Sequence, residues 1–190
     1  MADSALAAEA LVDLDAAARY LGVSAVADDG YLELLVAAAS RAAEQFCSRR
    51  FARAAHVEVR DGSGATFMPT RQWPIASVEA LVIDGHAAEA RPEPGRRGYF
   101  FGEETVYLSG GLAFGRGCAN VELHYTAGYA AIPADVRLAV LELAKYADKR
   151  KERAGLVSEG LAGQQTNYLT ADMPAAVKGM LAPYRRVTPL

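Results

Sequence analysis

The sequence is poor in cysteine, and its two thiols, Cys47 and Cys118, follow no spacing typical of a metal or redox site. An excess of positive charge is also missing, because 20 Lys and Arg stand against 23 Asp and Glu, a net charge of −3. A protein that holds DNA by its phosphates needs the opposite balance, so that class is disfavoured. Residues 1–11 lack the basic start of a secretion signal, and we expect reduced thiols in a protein made in a cytoplasm.

Long apolar runs are absent too, so the sequence predicts no membrane-spanning helix and no membrane partner. Gly110–Gly117 lacks the Gly-Lys-Ser/Thr ending of a phosphate-binding loop, and Gly62–Gly64 lacks the spacing of a nucleophile elbow. We therefore interpret Gly110–Gly117 as a flexible connection and Gly62–Gly64 as part of a turn. What is present is a 52% apolar composition in 190 residues, which suits one domain, or one domain with an insertion.

Helical periodicity marks both ends of the chain. A short helix capped by Asp13 or Asp15 should stop at Gly22, and Asp28-Asp29 should open a second helix reaching about Arg49. Its buried stripe is predicted at Leu32, Leu35, Val36, Ala39, Ala43 and Phe46. Another helix should run from Pro133 to about Arg153, followed by a polar, mobile segment over 154–170 and a last short helix from Pro174.

Alternating patterns between these helices predict strands. The Asp61–Gly64 turn should join 56–60 and 65–68 as a hairpin, with Asp84-Gly85 as a second turn. The further predicted strands are 77–83, 99–101, 105–108 and 120–125. Together they predict one small antiparallel sheet.

The predicted fold class is therefore α+β and mainly helical. N-terminal helices in 1–54 and C-terminal helices with a tail in 131–190 should form one bundle, with an antiparallel β module at 55–130 between them. We treat this arrangement as a single structural domain with an insertion. Gly128 should allow the tight exit from the last strand, and Pro133 should start the helix that follows.

Two local patterns in the sequence suggest alternative functions. The pairs His56/Glu58 and Glu122/His124 each point to one side of a strand, so the four side chains could bind a metal if the strands were neighbours. Ordinary polar positions on the solvent side of a sheet explain the same alternation, and we favour that explanation, so no metal is expected. An enzyme or metal protein of unknown chemistry stays open as an alternative.

The second alternative is a small DNA-binding regulator. Residues 17–24, Ala-Ala-Arg-Tyr-Leu-Gly-Val-Ser, look like the opening of a helix-turn-helix. The following stretch carries no basic residue from Ala25 to Ser40, whereas Asp28, Asp29 and Glu33 would face phosphates.

Several features in order resemble the head-to-tail connector, or adaptor, proteins of long-tailed phages, prophages and gene-transfer particles. The central feature is Tyr125–Tyr129 (Tyr-Thr-Ala-Gly-Tyr), two residues, and then Ile132-Pro133-x-Asp135-Val136 at a helix start. The helix that follows ends in the charged cluster 149–153. The segment Trp73–Val78 and the ending from Pro174 to Arg185 are similar as well, so the resemblance covers nearly the whole chain.

This resemblance implies a structural protein of the virion neck, made in the bacterial host cytoplasm. Such a protein is not an enzyme and has no catalytic residue and no cofactor. Such adaptors form a ring, usually twelve-fold, beneath the portal protein, and they receive a neck, stopper or tail-completion protein on the other side. Double-stranded DNA passes through the channel without sequence-specific binding. Our hypothesis for the portal contact is the C-terminal tail, which ends in apolar residues and carries two Arg. The residues concerned are Tyr184, Arg185, Arg186, Val187 and Leu190.

Overall fold

A computed structural model describes residues 10–23, 30–91, 96–152, 158–161, 164–167 and 173–186. The chain divides into two compact units. Unit 1 comprises residues 1–48 with 132–190, and unit 2 comprises 49–131. Our expected boundaries at 54/55 and 130/131, within a single domain, stay a prediction.

Unit 1 contains the helices. They are α1 (Leu14–Leu21), α2 (Tyr31–Cys47), α3 (Ala134–Glu152) and α4 (Ala175–Leu181), with a 3₁₀ turn at Ala182–Tyr184. The cap predictions for α1 are confirmed, because the Asp13 carboxylate accepts from the N–H groups of Asp15 and Ala16, and Gly22 ends the helix in the left-handed conformation. The expected opening of α2 at Asp28-Asp29 lies outside the described residues.

The buried stripe of α2 follows the predicted spacing, since every predicted position except Phe46 is buried. On α3, Val136, Ala139, Val140 and Leu143 are buried in the same way. Ser40 is the polar exception on α2, and its hydroxyl donates to the Val36 carbonyl and accepts from the Leu11 N–H. Because this buried hydroxyl both donates and accepts a hydrogen bond, its burial lowers the stability of the core little.

Two antiparallel sheets make up unit 2. The strands are β1 (Ala54–Gly62), β2 (Phe67–Pro69), β3 (Ile75–Ile83), β4 (His86–Ala88), β5 (Gly98–Phe101), β6 (Thr105–Ser109) and β7 (Gly117–Ala127). Sheet A has the order β1-β7-β3-β4 and sheet B the order β2-β6-β5. Their shared core includes Leu81, Val106, Phe114, Leu123 and Tyr125, so the two sheets bury a common set of side chains.

The expected mainly helical fold is wrong. The structure is 36% helical and 32% strand, a mixed α+β fold. Strand content exceeds the expectation because β1 and β7 extend beyond the short alternating patterns, to 9 and 11 residues. The stretch that we expected to be mobile also holds a described pair of antiparallel strands, β8 (Ser158–Leu161) and β9 (Gln164–Asn167).

The predicted hairpin across Asp61–Gly64 is also wrong. Strand β1 pairs with β7, which is distant in sequence, and β2 pairs with β6 in the other sheet. The turn residues permit a reversal, but they do not select the partner strand. In contrast, the turn at Asp84-Gly85 does join β3 and β4 as expected, because both residues adopt positive φ as such a tight turn requires.

Among the helices of the described ranges, none has the length and apolar character needed to cross a bilayer.

Candidate functional site

A buried arginine, Arg49, lies in unit 2 where residues 49–53 run next to residues 128–129. Arg49 is only 3% exposed, and its guanidinium carbon lies 3.9 Å from the centre of the Trp73 ring. The rings of Phe51 and Tyr129 lie 5.2 and 5.3 Å away. Arg49 also donates a hydrogen bond to the Trp73 carbonyl. We call these four residues the arginine cage, in which the aromatic faces stabilise a cation removed from water.

Backbone hydrogen bonds join these two segments of the chain. The N–H of Tyr129 donates to the Phe51 carbonyl at 2.8 Å, and the N–H of Arg53 donates back to the Tyr129 carbonyl at 3.1 Å. Gly128 has φ +106°, and a β-carbon at this position would lie 2.6 Å from the Ala52 carbonyl oxygen. The predicted need for glycine in this exit is therefore confirmed, and close backbone approach adds a second reason for it.

The predicted start of helix α3, in unit 1, is also confirmed. Helix α3 begins directly after Pro133, whose carbonyl accepts from the Arg137 N–H at 3.0 Å. Asp135 lies in the first turn, where the helix dipole favours a negative charge. Its two carboxylate oxygens each accept from the Tyr184 hydroxyl at 2.8 Å.

Three of the predicted partner-binding residues, Tyr184, Arg185 and Arg186, contact other residues of unit 1. Tyr184 is anchored on Asp135, and the Arg185 guanidinium lies 5.3 Å from the centre of the Phe46 ring. The N–H of Arg186 lies 3.5 Å from the Cys47 carbonyl oxygen. Val187 and Leu190 lie outside the described residues.

The four-residue metal hypothesis is wrong because of strand register. Strands β1 and β7 are neighbours, as the hypothesis required, but His56 lies opposite Tyr125, and Glu58 lies opposite Leu123. Glu122 and His124 lie opposite Val59 and Val57 instead, so the two pairs occupy opposite faces of sheet A. Within the described part of the chain, no three His, Cys, Asp or Glu residues are grouped so that they could hold a metal ion.

Glu58 has structural partners. It is 5% exposed, and its carboxylate accepts from the Tyr125 hydroxyl, from the Arg71 N–H at 2.7 Å and from Arg60 at 3.0 Å. Such bonds satisfy a buried carboxylate. Next to it, burial lowers the pKa of the His56 imidazole, while the nearby Glu58 charge opposes the shift.

A surface cavity of about 570 Å³ lies between the β3–β4 turn and the loop at Leu112 and Ala113. Its charged and titratable lining residues include Asp84, His86 and Arg97, and all three are exposed. The His86 Nδ1 lies 2.9 Å from the Asp84 carbonyl oxygen. The cavity is therefore an open surface feature whose charged side chains face solvent.

The burial of α2 argues against the DNA-binding alternative. The helix after the α1 turn is α2, which would have to present its first turns to a groove. Among residues 31–40, only Leu34 and Ala38 are exposed, and neither can hydrogen-bond a base.

One surface was not anticipated from the sequence. Phe67, Tyr107 and Phe100 lie side by side across sheet B, one on each strand, and are 52%, 37% and 38% exposed. The rings of Phe100 and Tyr107 stack at 5.1 Å, and the Arg91 guanidinium lies 4.2 Å from the centre of the Phe100 ring. We call these three rings the aromatic stripe. Exposed apolar surface of this kind is typical of proteins that contact other chains.

The family model of head completion proteins matches residues 10–187. The chain belongs to the head completion protein family. This membership confirms the expected head-to-tail connector class and a structural role in the virion.

Solved structures of gene transfer agent (GTA) particles contain chains with the same fold. One, from the neck of the native particle computed with C12 symmetry, is 21% identical, with a TM-score of 0.55, covering 86% of this chain and 85% of that one. Another, from the neck of the empty particle computed with C6 symmetry, is 22% identical, with a TM-score of 0.57 and coverages of 95% and 92%. A chain of the native GTA virion is 20% identical with the same TM-score and coverages. No curated protein matches the chain in sequence.

Proposed function

We propose that copies of this chain form a twelve-fold ring in the virion neck. The ring lies between the portal protein and the next neck, stopper or tail-completion protein, with double-stranded DNA passing through its channel. The observation that carries this proposal is the shared fold with a chain of a neck computed with C12 symmetry, over 86% of the present chain. Family membership supports it independently, because the matched residues span 10–187.

The charge of the chain fits such a channel. A net charge of −3 gives little general attraction for phosphates, and a passing duplex has to slide rather than bind. We infer that the protein reads no DNA sequence and catalyses no reaction. The burial of the first turns of α2 and the exposed, ordinary environment of the cavity side chains support these two inferences.

We also propose that the tail, Tyr184, Arg185, Arg186, Val187 and Leu190, contacts the portal. The Tyr184–Asp135 hydrogen bonds support this because they hold the beginning of the tail at one place on unit 1. Arg185 is exposed beside Phe46, so its charge is available to an acidic partner surface. Holding the start of a binding segment reduces the entropy lost on binding.

The ring is tested by mixing the purified full chain with the portal protein of the same particle and imaging by negative-stain microscopy. We expect rings with twelve copies on the portal. Particles without a ring, or a chain that stays monomeric with the portal, would contradict the proposal.

The tail is tested in the same mixture with Arg185→Glu and with a chain that stops at Arg186. The matched control is Lys149→Glu, which reverses an exposed charge elsewhere on unit 1. We expect both tail variants to weaken portal binding by at least about tenfold, whereas the control binds like the wild type. Normal binding by both tail variants would rule out the tail as the portal contact.

A further inference from the structure

The outer face of sheet A carries exposed apolar side chains. Val57 and Val59 on β1 are 61% and 53% exposed, and they alternate with the buried Glu58. Ala80 on β3 is also exposed and lies in the same row as Val57, since both are opposite His124 of β7. We call Val57, Val59 and Ala80 the aliphatic patch. Because strand residues alternate between the two faces of a sheet, this patch points away from the core that the two sheets share.

The aromatic stripe lies on the opposite side of unit 2. Tyr107 stands between Val106 and Leu108 of β6, and both of these neighbours are buried in the shared core. The Tyr107 ring therefore points outward from sheet B, as the aliphatic patch points outward from sheet A. Two sheets that pack face to face have their outer faces on opposite sides. Unit 2 thus exposes one apolar surface on each side, and the two surfaces consist of different side chains.

We propose that the aromatic stripe of one copy packs against the aliphatic patch of the next copy. The inference rests on the proposed ring and assigns two surfaces to it. Because the stripe of one copy meets the patch of another, the contact is head-to-tail, and its repetition around an axis closes a ring. In a ring of twelve copies, the two contact directions of one copy depart from opposite directions by only about 30°. The two sides of a pair of packed sheets suit a ring of this size.

The occupant is a second copy because one contact covers both apolar surfaces. Aromatic rings and β-branched side chains also pack favourably against each other. The charges agree with this pairing. Glu122 is exposed opposite Val59 in the aliphatic patch, whereas the Arg91 guanidinium lies 4.2 Å from the centre of the Phe100 ring in the stripe. An acidic group beside one surface and a basic group beside the other favour this pair of faces over either face with itself.

Cysteine cross-linking tests the contact directly. The exposed Cys118 is first replaced with serine in every chain, and the buried Cys47 is kept. Thr105→Cys then places a thiol on the outer face of sheet B, two residues from Tyr107, and Ala80→Cys places one in the aliphatic patch. Both substitutions leave the rings and the valines intact. The two full-length variants are mixed in equal amounts with the portal protein of the same particle and treated with a short bismaleimide.

We expect the mixture to give a cross-linked product of two chains on a denaturing gel, at least about tenfold above the amount from either variant alone. Thiols that are held across a contact have a far higher effective concentration than thiols on separate chains. Each variant alone presents its thiol to a surface that lacks one, because a stripe meets a patch and never another stripe. A two-fold contact of the stripe with itself would instead cross-link the Thr105→Cys variant alone.

Substitution of each surface provides an independent measurement. Phe67→Thr with Phe100→Thr removes two rings of the stripe, and Val57→Thr with Val59→Thr makes the patch more polar, while threonine keeps a preference for strands. We expect the concentration for half-assembly with the portal, measured by mass photometry, to rise at least about tenfold for the stripe variant and about threefold for the patch variant. The matched control, Tyr107→Phe, keeps its ring and should assemble like the wild type. Circular dichroism checks that each variant is folded.

The outcomes separate this assignment from the proposed function. If the wild type forms no ring with the portal, the proposed function fails, and the contact fails with it. If rings form but the mixture gives no more cross-linking than either variant alone, or if the Thr105→Cys variant cross-links to itself, only the contact is overturned. Normal assembly of either surface variant would overturn it as well. Cross-linking that needs both variants, together with weaker assembly of both surface variants, supports the contact.

Discussion

Gly128 lies so close to Ala52 that a β-carbon at residue 128 would be 2.6 Å from the Ala52 carbonyl oxygen. Its φ of +106° is also outside the range that other residues adopt easily. We therefore expect Gly128→Ala to lower the free energy of unfolding of unit 2 by about 2–3 kcal/mol. Urea unfolding followed by the fluorescence of Trp73, the single tryptophan, measures this change.

The matched control is Gly111→Ala. Gly111 has φ +79°, but a β-carbon there meets nothing within 4 Å. Its substitution should cost only about 1 kcal/mol, the cost of the backbone conformation alone. Equal effects at the two glycines would contradict the role of close approach at Gly128.

The arginine cage predicts that lysine cannot replace Arg49. Lysine keeps the positive charge but lacks the planar guanidinium that lies over Trp73 at 3.9 Å and donates to its carbonyl. We expect Arg49→Lys to destabilise unit 2 by about 1–2 kcal/mol and to shift the Trp73 emission. Arg50→Lys, at an exposed neighbour, should change stability by less than about 0.5 kcal/mol.

Tyr125 and Tyr107 lie on the same two-sheet unit but differ in burial. The Tyr125 hydroxyl donates to Glu58 and accepts from the Gln72 N–H at 3.1 Å. Tyr125→Phe leaves these buried groups with fewer partners, so we expect a loss of about 1–3 kcal/mol in urea unfolding. Tyr107→Phe removes an exposed hydroxyl and should have almost no effect on stability. A neutral Tyr125→Phe would contradict the role assigned to this bond.

His56 predicts a pH dependence of the stability of unit 2. Burial lowers its pKa in the folded state, so the unfolded state binds the proton more strongly. The sign follows directly: stability is full above the unfolded pKa of about 6.5 and falls as the pH drops from there toward the lowered folded pKa. The measurement is urea unfolding at pH 7.5 and at pH 5.5.

Replacing His56 with Gln should reduce this loss of stability between the two pH values. His86→Gln is the control, since it removes another histidine at an exposed position, the first residue of β4. If both variants keep the full slope, another group is responsible for the pH dependence.

Local signals were sufficient for most individual elements. Asp13 and Gly22 bound α1, Pro133 starts α3 and Asp84-Gly85 forms a turn, because caps and tight turns depend on a few neighbouring residues. Family-level resemblance at residues 125–136 was also correct, as the match over residues 10–187 shows. These features are encoded within a short stretch of chain, where sequence patterns are informative.

Pairing and register depended on residues far apart in the chain. The Asp61–Gly64 turn suggested a hairpin, yet β1 found its partner in β7. That same register put His56 and Glu122 on opposite faces and removed the metal hypothesis. The alternation of each strand was visible, but the relative alignment of two strands is set by the core that they bury together.

Local signals predicted the caps of α1, the start of α3, the apolar helix faces and the resemblance to connector proteins. The balanced α+β fold, the arginine cage and the aromatic stripe, in contrast, depend on the tertiary structure. The difference lies in the separation along the chain over which each interaction acts. Capping and periodicity act over a few residues, whereas the cage and the stripe join residues up to 80 positions apart, through contacts that exist only in the folded chain.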